Sequence, residues 1–172
     1  MIYVYAKKKS SIEEQIALLS EIKKDICSDK LVKELFKDYN FSEEVLLGVA
    51  ISFSDDIDST AKTVNGQIFL NTSLLDESDD TIGRYIIHEL THVFQHIEKQ
   101  KNGQNKKKSD NSEDYLSKPE EIEAFQNQIA YNADKTSRKE VEDYVFDLLE
   151  YHEVEDEDEA DDVWEVLMEK VN

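Results

Sequence analysis

The segment His88-Glu89-Leu90-Thr91-His92 constrains this chain more than any other. It reads H-E-x-x-H inside a stretch whose apolar residues recur at helical spacing. On a helix, residues four apart share a face, so both imidazoles can reach one metal ion. Glu89 directly follows the first histidine, where it can sit beside a metal-bound water and take its proton. The chain has four histidines and two of them fall in this pattern, which makes coincidence a poor explanation.

The pattern predicts a helix from about Asp79 to Lys99, with Asp79 and Asp80 at its start, where negative charge suits the helix dipole. Ile86, Leu90, Val93 and Ile97 share one stripe, flanked by Ile87 and Phe94. His88 and His92 lie on another side, about 40° apart. Ligands and core therefore use different faces. Tyr85 and His96 fall angularly between the ligands and Glu89 and border the expected site.

Catalytic zinc takes three protein ligands and keeps a fourth position open. A third histidine six residues after His92 is absent, since Glu98 stands there, and Gln95 stands where that pattern needs glycine. The other common solution is a glutamate from a later helix. Pro119-Glu120-Glu121-Ile122-Glu123-Ala124-Phe125 offers three. Glu121 is expected to point away into solvent. Glu123 lies at the edge of the buried stripe and is followed by a small alanine that permits close helix approach. Glu123 is the preferred ligand and Glu120 the second choice.

With these residues in place, the chain resembles the gluzincin metallopeptidases, especially their compact single-domain minigluzincin type. The likeness rests on Gly66-Gln67-Ile68-Phe69-Leu70-Asn71 before the motif helix, on His88 to His92 with Val93 and Gln95, and on Glu123-Ala124-Phe125. These segments span the middle third to half of the chain. The resemblance implies a zincin-like α+β fold and Zn²⁺ held by His88, His92 and Glu123. It implies Glu89 as general base in peptide hydrolysis. It also implies that residues 67–70 form the sheet edge that takes substrate as an added strand. A Tyr or His that steadies the oxyanion belongs to the same pattern. Tyr115 is the best-placed residue for that role, with Tyr85, Tyr131 and His96 as alternatives.

Elsewhere the chain reads as alternating helices and short strands. Residues 2–6, 45–53 and 62–70 look like strands, with Asn65-Gly66 a turn or bulge in the third. Ser11 with Glu14 and Ser137 with Glu140 are capping boxes that open helices. A helix begins near Ser28. Another starts at Pro119 and runs to about Ala133. Residues 153–159 form an acidic linker, and residues 160–171 a last amphipathic helix with Trp164. Residues 101–114 form a polar, lysine-rich loop whose Lys106-Lys107-Lys108 are solvated. His152 reads as a helix-end residue with no metal role.

The whole is expected to be one α+β domain over residues 1–172. A small, mainly antiparallel sheet would pack on the motif helix, and an acidic helical extension would start at about 137. A net charge of −20 argues against binding a nucleic-acid backbone. It leaves room for a basic protein partner. The main alternative to a peptidase is a non-catalytic binding or inhibitor protein on the same scaffold, acting through its acidic surface. A single cysteine, Cys27, excludes an internal disulfide and a thiolate cluster. No apolar run reaches membrane-spanning length, and the apolar start is too short for a signal sequence. A cytoplasmic setting is expected.

Overall fold

The computed structural model describes residues 10–103 and 115–171. The expected strand at residues 2–6 and residues 104–114 of the expected loop, with Lys106 to Lys108, lie outside them. The described chain is mixed α+β and mostly helical. Both capping boxes form. Ser11 opens α1 (Ile12–Ser28) and Ser137 opens α6 (Arg138–Tyr151), each side chain accepting from the backbone N–H of the glutamate three residues on. Asp29 caps α2 (Lys30–Leu35), accepting from the N–H groups of Leu31 and Val32.

Residues 45–53 depart from expectation. They divide between a short helix α3 (Glu43–Gly48) and strand β1 (Ile51–Ser54). Ser42 accepts from the Val45 N–H, and Glu43 and Glu44 occupy the first turn. This cap and its charges commit the apolar run to a helix, because a short apolar run carries no periodicity of its own.

Residues 62–70 form a hairpin rather than one strand. β2 (Ala61–Val64) and β3 (Gln67–Asn71) are antiparallel. They are joined through Asn65 and Gly66 at φ 51° and 77°, the left-handed pair that an Asn-Gly turn supplies at least cost. β1 pairs in parallel with the other side of β3, Ile51 facing Ile68. The sheet order is β1-β3-β2, so the sheet is mixed, not mainly antiparallel. β3 is central because Ile68 and Leu70 are both fully buried. The edge next to the motif helix is β2, which corrects the expectation that residues 67–70 would be the free edge.

The motif helix α4 (Asp79–Lys101) starts at Ser78, whose hydroxyl accepts from the Thr81 N–H. Its middle, from Ile86 to Thr91, is buried at every position. His88 and His92 lie on a different face of α4 from the apolar stripe, and both faces are covered. The sheet lies against one side, and α5 (Pro119–Lys135), with proline in its first turn, lies against the other.

Two hydrophobic cores result. One joins α1, α2, the sheet and α4, and includes Tyr131 of α5. The other joins α5, through Phe125 and Ile129, to α6 and α7 (Glu157–Leu167). The last helix thus begins earlier than expected. Asp156 caps it, and Glu157, Asp158 and Glu159 form its first turn, where the dipole favours them. Among the described residues no helix is long and apolar enough to cross a membrane.

Gly83 shows how closely α4 and α5 approach. A Cβ there would meet the Tyr131 hydroxyl at 2.7 Å and the ring edge at 3.2 Å. Gly83→Ala should therefore destabilise by about 1–3 kcal/mol, overpacking outweighing the roughly 1 kcal/mol gained in helix propensity. Urea unfolding checks this, and Tyr131→Phe in the same chain should recover part of the loss.

Candidate metal centre

α4 and α5 run antiparallel, and their pairing builds the site. Thr91 meets Asn127, Gln95 meets Glu123, His88 meets Phe125 and His92 meets Glu121. The three atoms that converge are His88 Nε2, His92 Nε2 and Glu121 Oε2. The two nitrogens are 3.3 Å apart, and Glu121 Oε2 lies 3.5 Å from His88 and 3.2 Å from His92. A tetrahedral ion with bonds of about 2.0–2.1 Å has ligand–ligand edges of about 3.3–3.4 Å. The triangle therefore has the size of one face of such a site, and the His/His/Glu group can hold a metal ion.

The third member is Glu121, not Glu123. Glu121 is mostly enclosed rather than solvent-facing, and its Oε2 is buried without a well-aligned hydrogen bond. Burial pushes its carboxyl up, but the two imidazoles outweigh that and hold it well below the usual carboxylate range. Burial likewise pushes His92 down, and Glu121, Gln95 and Glu89 together carry it above its ordinary value. The signal for Glu121 was present in the sequence. It stands four residues before Phe125, so the two share a face, and the Phe125 ring packs edge-on against His88 at 4.5 Å.

Glu123 supports the site from behind. Its carboxylate accepts from the Tyr39 hydroxyl at 2.8 and 2.9 Å and from Gln95 Nε2 at 2.9 Å. Gln95 Nε2 also reaches the Glu120 carbonyl at 3.0 Å, and Gln95 Oε1 lies 2.9 Å from His92 Nδ1. When Nδ1–H donates to Gln95 and Nε2 is deprotonated, His92 turns the Nε2 lone pair toward the cluster. This is the outer-shell arrangement that fixes a ligand's tautomer and ring angle. Glu120 pairs with Lys99 and is not one of the three converging groups.

Glu89 is buried, and its Oε2 accepts from Thr63 Oγ1 at 2.7 Å. The same hydroxyl lies 3.2 Å from the Glu89 carbonyl oxygen. Edge strand β2 thus holds the carboxylate that follows the first histidine.

Tyr115 stands beside Glu121. Burial raises its hydroxyl pKa, and the Glu121 and Glu89 carboxylates push the same way. Its ring stacks on His152 at 5.2 Å with a 4° tilt, a neighbour that sequence reading left without a role. Burial lowers His152 against the pull of Glu121. The other aromatic candidates lie elsewhere. Tyr131 packs on Gly83, Tyr85 lies under Arg84, and His96 contacts Gln100.

No protein-family model matches this chain, and neither a curated protein nor a solved structure matches it.

Metal binding separates the two glutamates. Glu121→Gln should lose most bound zinc on elemental analysis after dialysis. Glu123→Gln should keep it with affinity lowered about 10–100-fold, the usual cost of an outer-shell change. The reverse result would restore Glu123 as ligand. Affinity should also rise with pH. Because the carboxylates around His92 favour its protonated form, a metal must compete with that proton for the ring nitrogen. Competition titrations should show tighter binding as pH increases, levelling off once His92 is neutral in the free protein.

Proposed function

We propose that this chain is a zinc-dependent metallopeptidase of gluzincin type, with His88, His92 and Glu121 as the metal ligands. The observation that carries the reading is the three-atom triangle, sized for a tetrahedral ion, with Glu89 fixed next to it on the same helix. A zinc ion in this position supplies Lewis acidity and lowers the pKa of a water to about 7.

The chain's own groups divide the remaining work. Thr63 occupies Oε2 of Glu89, which orients the carboxylate and leaves Oε1 to take a proton from the attacking water and return it to the leaving amine. The raised pKa of Tyr115 keeps its phenol protonated, so it is a neutral donor toward an oxyanion beside Glu121. β2 is an edge strand of the sheet among the described residues. An extended peptide added there would lie on the strand that also holds Glu89 through Thr63.

A non-catalytic binding protein on this scaffold would have no use for an aligned Glu89. Glu89→Gln distinguishes the two. It should retain one zinc per chain while hydrolysis of an unstructured protein substrate, read as new N-termini, falls by about 10²–10⁴-fold. Wild-type protein that binds zinc yet makes no new N-termini in any substrate mixture would sink the peptidase reading.

A further inference from the structure

A second concavity lies away from the metal centre. This groove of about 600 Å³ runs between α6 and α7, inside the roughly 300–1,000 Å³ range of ligand-binding clefts. Its floor is apolar, made by Phe146, Leu149, Val154 and Trp164. Phe146 is 60% exposed, unusual for a phenylalanine with no cover. The indole N–H of Trp164 is buried and has no hydrogen-bond partner among the described residues. The rim is acidic, formed by Glu150, Glu153, Glu155 and Asp161, with no lysine or arginine among the lining residues. None of the four makes an ion pair among the described residues.

We propose that this groove binds an extended segment of a partner protein in which lysine or arginine alternates with large apolar residues. Each component of the groove meets one feature of such a segment. The apolar side chains cover the floor. The aliphatic stems of lysine or arginine lie along it while their charged ends reach the rim carboxylates. A cation can also sit over the face of Trp164. The acidic rim disfavours acidic and nucleic-acid occupants through like-charge repulsion. The inference is independent of the metal centre, since none of the groove residues belongs to the His88, His92 and Glu121 cluster.

Trp164 is the single tryptophan of the chain and lines the groove, so its fluorescence reads occupancy directly. The full-length protein is titrated with a blocked peptide of alternating leucine and lysine, and with matched leucine–glutamate and leucine–serine peptides. The leucine–lysine peptide should give a saturable change in Trp164 emission that weakens as salt is raised. The combined Glu150→Gln, Glu153→Gln and Asp161→Asn variant should bind at least roughly fivefold more weakly, with unchanged circular dichroism. A control removing three acidic charges elsewhere, Glu13→Gln, Asp38→Asn and Glu44→Gln, should bind as the parent does. Absence of a saturable change overturns the proposal. So does equal binding of the glutamate or serine peptide, or equal weakening in the control, which would mean attraction to net charge alone. Binding seen only after deletion of residues 1–9 would assign the groove to the chain's own Lys7-Lys8-Lys9 segment and also overturn it.

Discussion

The contact between α4 and α5 is the constraint on which the remaining structure depends. It is held in register by polar pairs in a buried seam. Asn127 donates to Thr91 at 3.0 Å, Gln95 donates to Glu123, and Tyr131 fills the space left by Gly83. A slip by one turn would leave Asn127 and Gln95 buried without partners, at about 1–3 kcal/mol for each group. Apolar contacts alone tolerate such a slip far better. The same register sets Glu121 opposite His92. The geometry of the candidate centre is therefore a by-product of how the two helices are keyed together. The key extends to the end of the chain, where Lys170 donates to Asn127 and Gln126 donates to the Val166 carbonyl.

Much of this was legible in the residues, and the failures are specific. Capping boxes, Pro119 at a helix start and Asn65-Gly66 between strands are local signals with local causes, and each marks what it encodes. His88 and His92 share a face by helical geometry alone. The third acidic residue depends on which side of α5 meets α4, a tertiary fact. Glu121 and Glu123 differ by about 200° around the helix, so an error in facing exchanges them. Choosing by the small neighbour Ala124 favoured Glu123, which meets Tyr39 and Gln95, whereas choosing by the aromatic at Phe125 would have favoured Glu121, which meets the histidines. The place of β3 in the sheet was hidden for a similar reason. Strand order is set by long-range pairing, and a buried alternation such as Ile68 and Leu70 suits either neighbourhood until a partner such as β1 is known.

The acidic excess has a structural distribution as well as a total. Acidic residues occupy the first turns of α1, α3, α4, α5, α6 and α7. There they interact favourably with the helix dipole. A part of the −20 charge thus serves the helices locally. The rim of the α6–α7 groove differs, because Glu150 and Glu153 sit at the C-terminal end of α6, where the dipole disfavours them.

The division of the interior into two cores gives α5 an unusual position. Tyr131 belongs to the core built by the sheet and α4, while Phe125 and Ile129 belong to the core of α6 and α7. Neither core can close without the same seventeen-residue helix. The C-terminal helices therefore pack on the same helix that carries Glu121. The fold joins mechanically what the chain keeps apart, and the cooperativity of its unfolding is set by how firmly one helix is gripped from both sides.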